Sequence, residues 1–139
     1  MKTAKELLQA YIDGSALESA ALFADDGALE LPYLSDLGVE PRYQGPANIG
    51  AFLTFLHEQM YPGFHFIDVQ IYIDTPAQAF GEYTIHHQSG ISGRTVHQRV
   101  FGHCTAANGK IVLLREALNV LAAADAMFPG GLADVVDRK

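Results

Sequence analysis

The chain has 139 residues, 49% of them hydrophobic and 18% charged, which suits one globular domain spanning 1–139 and excludes an intrinsically disordered protein. Its formal net charge is −7 and its isoelectric point about 5.2, the opposite of the basic surface that nucleic-acid binding needs. Cys104 is the only cysteine, so no internal disulfide can form, and no apolar run is long enough to span a membrane; a soluble cytoplasmic protein is expected.

Thr3 and Glu6 form a capping-box pattern ahead of Leu7, Leu8, Tyr11 and Ile12 at helical spacing. The N-terminus therefore reads as a helix start rather than a signal peptide. Ser15 and Glu18 repeat the pattern before Leu22 and Phe23, and Asp25-Asp26-Gly27 reads as a turn. Ala28 to Tyr33 is expected as a short strand whose faces are ambiguous, and Leu34 to Gln44 as a loop. Gly45-Pro46 opens a third helix with the buried stripe Ile49, Phe52, Leu53, Leu56 and Met60, ended by Pro62-Gly63. Phe64 to Asp74 follows as a strand. Ala79 to Gln88 is the next, with Ala79, Gly81, Tyr83, Ile85 and His87 as its inner face. After the long hairpin described below come an alanine-rich helix to about Met127 and a tail, Asp134 to Lys139, expected to fray. Helices first and consecutive long strands after them indicate an α+β domain, a curved, mostly antiparallel sheet wrapped over about three helices.

The hairpin Thr95 to Leu121 carries the least comfortable residue in the sequence. On its second strand Val112, Leu114, Glu116, Leu118 and Val120 share a face that is apolar except for Glu116. A carboxylate there must be paired, hydrogen-bonded, protonated or open to a cavity. A two-residue turn at Asn108-Gly109 would set Phe101 opposite Glu116 and turn His97, Arg99 and His103 inward. A three-residue loop, Ala107 to Gly109, would set Val100 opposite Glu116 and line the inner face with Val96, Gln98, Val100, Gly102 and Cys104. Register follows the buried face, so the second is expected. It leaves Gln98 and Glu116 inside, and His97, Arg99, Phe101 and His103 outside.

The order of elements resembles the nuclear transport factor 2-like superfamily, in particular its SnoaL-like polyketide cyclase branch. The matching stretches are Leu22 to Gly27, Gly45-Pro46 through Leu53, and Gly109 through Glu116. The C-terminal half is also similar to the phenazine-biosynthesis A/B proteins, in Tyr61-Pro62-Gly63-Phe64, Arg115 to Asn119 and the alanine-rich helix. The resemblance implies a cone with a deep, mostly apolar pocket and a homodimer packed through the outer sheet face. It makes Glu116 the counterpart of a catalytic acid on the last long strand. It places Tyr83, His87, Gln98 and Val100 in the pocket with the apolar neighbours Leu114 and Leu118, puts Glu30 at a pocket position on the first strand, and matches Tyr11 to the oxyanion tyrosine of ketosteroid isomerase. The departures are the missing Arg and Asp of the epoxide hydrolases on the strand Tyr83-Thr84-Ile85, Leu31 where ketosteroid isomerase has its base before the proline, and no counterpart of its second oxyanion-hole acid.

These residues support an enzyme that moves protons on a small apolar carbonyl compound. Glu116 would be the acid/base, with His87 a second candidate, and Tyr11, Tyr83 and Gln98 would orient the substrate. The competing readings are a metabolite binder with the same pocket, in which Glu116 is a structural acid, and a dimeric interaction domain. His57 could line a pocket mouth, and Cys104 faces inward as an inert thiol. No histidine pair has the spacing of a helical metal site, and Arg99 lies between His97 and His103, so neither a metal nor a cofactor is expected. The outward His97, Arg99, Phe101 and His103 read as the homodimer surface.

Overall fold

The computed structural model describes residues 1–137 as an α+β fold, a six-stranded mixed sheet with helices packed on it. Helices α1 (Ala4–Asp13) and α2 (Ala16–Ala20) start at the two expected capping boxes. The Thr3 and Ser15 hydroxyls accept from the Glu6 and Glu18 amides, and those carboxylates accept from the Thr3 and Ser15 amides. Each box satisfies donors that a helix start otherwise leaves open.

Strand β1 (Phe23–Glu30) begins earlier than expected and runs through Asp25-Asp26-Gly27, where its pairing register breaks. β1 ends at Glu30; a 3₁₀ turn, Pro32–Leu37, takes the end of the expected strand and the start of the expected loop, and the rest of that loop holds the short strand β2 (Arg42–Gln44). Helix α3 (Pro46–Phe55) continues into one π turn, Leu56–Met60, which brings Tyr61 to a fully buried position. Strands β3 (Ile67–Asp74), β4 (Gln78–Gln88), β5 (Thr95–Ala107) and β6 (Lys110–Leu118) complete the sheet, in the order β2-β1-β6-β5-β4-β3. β1 and β6 run parallel, and the other neighbours antiparallel. β3 is isoleucine-rich yet mostly exposed, because it is an edge strand broken by register shifts, with Asp68 at φ 53°. Helix α1 packs on β4, β5 and β6, and α3 packs on β1 and β2. Their core includes Leu7, Leu8, Leu29, Leu53, Ile111 and Leu114, each no more than 1% exposed and each stabilising the fold by roughly 1.5–3 kcal/mol through burial.

The β5–β6 hairpin corrects the expected register. Asn108 (φ 55°) and Gly109 (φ 73°) form a two-residue turn with both residues left-handed, the conformation that Asn-Gly favours between twisted strands. Such a turn alone would set Phe101 opposite Glu116. Pairing instead skips Val112: Ala106 faces Ile111 and Thr105 faces Leu113. This bulge advances the register by one, so Gly102 opposes Glu116 and Val100 opposes Leu118. Gln98, Val100, Gly102 and Cys104 remain inside and His97, Arg99, Phe101 and His103 outside, as the alternation predicts. The faces are as expected; the loop length and the cross-strand partners, including the residue facing Glu116, differ.

Helix α4 (Val120–Met127) follows β6 after Asn119, whose side chain accepts from the Leu121 and Ala122 amides. The β4–β5 turn latches it. Ser89 Oγ donates to the Ala126 carbonyl at 2.6 Å and accepts from the Ile91 and Ser92 amides, Ser92 Oγ donates to the Asp125 carbonyl, and Arg94 pairs with Asp125. The tail expected to fray forms helix α5 (Leu132–Asp137), and residues 138–139 of that tail lie outside the described residues. Ser89→Ala leaves the Ile91 and Ser92 amides without their acceptor. It is expected to cost about 1–3 kcal/mol in urea denaturation and to speed amide exchange in α4.

Candidate active site

The helices and the inner sheet face form an apolar, partly open cavity with about 100 Å³ open to the centre of a water-sized sphere, room for several waters or one small ligand. Leu31 and Leu34 come from the 3₁₀ region, Phe52, Phe55 and Leu56 from α3 and its π turn, and Ala123 and Met127 from α4. Among the described residues the polar side chains on its wall are Tyr43, Tyr61, Gln98 and Glu116, and no lysine or arginine lines it.

Glu116 is 5% exposed. Tyr83, entirely buried on β4, reaches across β5 and donates its hydroxyl hydrogen to Glu116 Oε2. Gly102 makes that reach possible. A Cβ on Gly102 would overlap the Tyr83 hydroxyl and lie 3.0 Å from its Cζ, so an alanine there must displace the ring. The Tyr11 hydroxyl, from α1, bonds the same carboxyl. Neither tyrosine lines the cavity. Both therefore stand behind Glu116, while the carboxyl itself borders the empty space.

Burial pushes the Glu116 carboxyl up to about 7, against the hydrogen bonds from Tyr83 and Tyr11 that hold it down. Burial, reinforced by the Glu116 charge, raises both tyrosine hydroxyls well above their usual range, so they remain donors.

Gln98 stands on the same wall. Its Oε1 accepts from the Tyr61 hydroxyl at 3.2 Å, and its Nε2 donates to the Asn119 carbonyl at 3.3 Å. Val100 and Leu118 line the cavity with it.

Other sequence-predicted site residues lie elsewhere. His87 does not border the cavity; its Nε2 is 2.7 Å from the Pro62 carbonyl, to which it donates, because β4 has by then passed beyond the cavity. Glu30 points away from the cavity. It pairs across the sheet with Arg42 on β2 and with Arg115 on β6, whose Nε is 2.8 Å from Glu30 Oε1, while its neighbour Leu29 takes the buried side. Leu114 is fully buried under the core and makes no part of the wall. His57 packs against Phe64 with ring centroids 4.6 Å apart and lines a separate open cleft. Cys104 is fully buried, and desolvation pushes its thiol to about 12. Among the described residues no group of three or more His, Cys, Asp or Glu is placed to hold a metal, and no helix is long and apolar enough to cross a membrane. Sequence reasoning missed Tyr61 as a wall residue, although its neighbours Pro62-Gly63 mark the point where the chain must turn inward. It also missed Asn119, whose place before Val120-Leu121-Ala122 is an N-cap signal.

The raised Glu116 carboxyl makes stability depend on pH. Its folded value of about 7 exceeds the ordinary 4.5, so the folded chain binds the extra proton between those values. The associated stability is complete below 4.5 and is lost as the pH rises through about 7. In urea denaturation the wild type is expected to lose roughly 3 kcal/mol relative to Glu116→Gln between about pH 4.5 and 8. A pH-independent difference between the two proteins would contradict the assignment.

No protein-family model matches the chain, and no curated protein matches its sequence. Solved structures do resemble it. A phenazine-biosynthesis-related protein from Pseudomonas aeruginosa superposes with a TM-score of 0.75 at 19% identity, over 89% of this chain and 84% of that one. A candidate polyketide cyclase from Pseudomonas putida KT2440 gives 0.72 at 20% identity, over 92% and 100%. A protein of ketosteroid isomerase-like fold from Catenulispora acidiphila, solved with trimethylamine, gives 0.71 at 12% identity, over 92% and 98%. The chain thus has the ketosteroid isomerase-like, nuclear transport factor 2-like fold that its order of elements resembles.

Proposed function

We propose that the protein is a cofactor-free enzyme that moves a proton on a small, mostly apolar carbonyl compound, in an isomerisation, cyclisation or dehydration, with Glu116 as the acid/base. The observation that carries this reading is the Glu116 carboxyl bordering an apolar cavity while two tyrosine hydroxyls hold it from behind. A carboxyl poised near 7 populates both protonation states at neutral pH, the condition for efficient general acid–base catalysis. As carboxylate, Glu116 takes the proton from the carbon next to the carbonyl. The C–H electron pair moves into the carbon–carbon bond and the carbonyl π pair onto oxygen, giving an enolate. As the acid, Glu116 then returns the proton, to the same carbon or to another along a conjugated system, so that isomerisation leaves the enzyme unchanged. The apolar wall excludes water, which would otherwise solvate the carboxylate and weaken it as a base. The solved structures named for polyketide cyclases share the fold and lend this class of chemistry its weight.

One observation favours the alternative, a binder that does no chemistry. Two tyrosine donors satisfy Glu116 without a ligand, as they would a structural acid. Solvent-deuterium exchange into enolisable ketones, followed by proton NMR, separates the two. The wild type is expected to catalyse exchange with a rate that rises through about pH 7, and Glu116→Gln to lower it by roughly 10²–10⁴-fold. Equal exchange by both proteins would leave the binder.

The outer sheet face supports a homodimer. Phe80 and Phe101 stack at 5.8 Å, His86 and His97 stack at 5.2 Å, and Arg99 pairs with Glu82 at 3.0 Å. Phe101 and the edge-strand Ile73 remain exposed beside them, a mixture of aromatic and arginine side chains typical of interface cores. Sedimentation is expected to give a dimer that Phe101→Glu dissociates; a wild-type monomer would contradict this.

A further inference from the structure

The cavity wall has a second polar position that proton transfer at Glu116 does not use. Gln98 is 5% exposed and borders the cavity. A glutamine amide carries two N–H donors and a carbonyl acceptor. One N–H of Gln98 goes to the Asn119 carbonyl, and Oε1 receives the Tyr61 hydroxyl. The second Nε2 hydrogen has no acceptor among the described residues. Two bonds thus fix the plane of the amide and leave one donor uncommitted at the cavity, an arrangement made before any ligand arrives.

The position of Gln98 sets a length. Gly102 faces Glu116, and Gln98 lies four residues along β5 from Gly102 on the same inner face. At about 3.3 Å per residue this places the two backbone positions roughly 13 Å apart. Side chains that reach into one cavity shorten that gap, but the span still exceeds one functional group. The charge of the wall sets a second condition. Among the described residues Glu116 is the only carboxylic acid on it, and no lysine or arginine is there to pair an anion. A ligand carboxylate would be buried beside an acid with no cation, which is costly.

From this juxtaposition we propose that the cavity takes a neutral, elongated, mostly apolar molecule whose enolisable carbon lies at Glu116 and whose distal carbonyl or hydroxyl oxygen accepts from Gln98. The proposal rests on the proton-transfer reading for the Glu116 end and adds the distal acceptor and the exclusion of anions. Gln98 is then the residue that determines specificity. The Asn119 carbonyl that it holds belongs to the cap of α4, so the same amide ties the ligand's far end to the helix that closes the cavity.

Three probes of matched size test it: 1,4-diacetylbenzene, 4-isopropylacetophenone and 4-acetylbenzoate. All present the same acetyl group to Glu116 and differ only at the far end. The wild type is expected to bind diacetylbenzene about fivefold more tightly than the isopropyl compound, the worth of one hydrogen bond, and 4-acetylbenzoate at least ~100-fold more weakly. Gln98→Leu is expected to abolish the fivefold preference. As a check that needs no variant, the Gln98 side-chain amide proton in the wild-type NMR spectrum should move downfield with diacetylbenzene and stay in place with the isopropyl compound. The absence of a preference in the wild type, its survival in Gln98→Leu, or tight binding of 4-acetylbenzoate would overturn the proposal. Deuterium exchange at the shared acetyl methyl reports on Glu116 separately. If Glu116→Gln leaves exchange unchanged while the affinity pattern holds, the catalytic reading fails and the specificity of the cavity stands.

Discussion

A carboxyl group set in an apolar wall is the constraint from which the rest of this structure follows. Glu116 cannot stay buried without donors, and the inward residues nearest it on the strand beside it, Val100 and Gly102, have none in their side chains. The donor comes from one strand further away. Tyr83 spans β5, and it can do so only because Gly102, directly opposite Glu116, has no side chain. Tyr11 approaches from α1, so the helix is tied to the sheet at the same point. The two hydroxyls satisfy the carboxyl on its core side and leave its other side to the cavity. A structural requirement, satisfying a buried acid, and a chemical one, presenting a proton acceptor to an apolar space, are met by one arrangement.

The closure of the cavity depends on elements that contribute little else. The π turn after α3 places Tyr61 inward, where its hydroxyl meets Gln98. Gln98 in turn holds Asn119, and Asn119 caps α4, whose Ala123 and Met127 complete the wall. The serine latch at the β4–β5 turn holds the far end of the same helix. A chain of polar contacts thus runs around the rim of an apolar space, most of them buried or half-buried bonds whose loss leaves a donor or acceptor open.

How much of this was legible in the sequence depended on whether a single period governed the segment. Alternation along β6 isolated Glu116, and the capping boxes marked the first two helices, because both signals are local. The face of β5 was legible for the same reason, but the residue opposite Glu116 was not. The bulge at Val112 leaves no signature in a run of Ile, Val and Leu, and it replaced Val100 by Gly102 as the partner. Glu30 was misplaced because β1 has a register break over its first half, so alternation could not choose its side. The cross-strand arginines that hold it outside are 12 and 85 residues away in the chain. His87 kept the inner parity of β4 yet fell past the end of the cavity, since parity gives the face of a strand and not where the cavity stops. The parts contributed by loops and helix ends, Tyr61, Leu31 and Met127, are assembled only in three dimensions.

The central claim is that burial and two tyrosine donors together poise Glu116 near neutrality. Carbon-13 NMR titration of the Glu116 carboxyl, in the wild type and in Tyr83→Phe, tests it most directly. The account predicts a wild-type midpoint near 7 and a higher one in Tyr83→Phe, because the lost hydroxyl had favoured the charged form. A wild-type midpoint in the ordinary carboxylate range, or one that does not move in Tyr83→Phe, would contradict it.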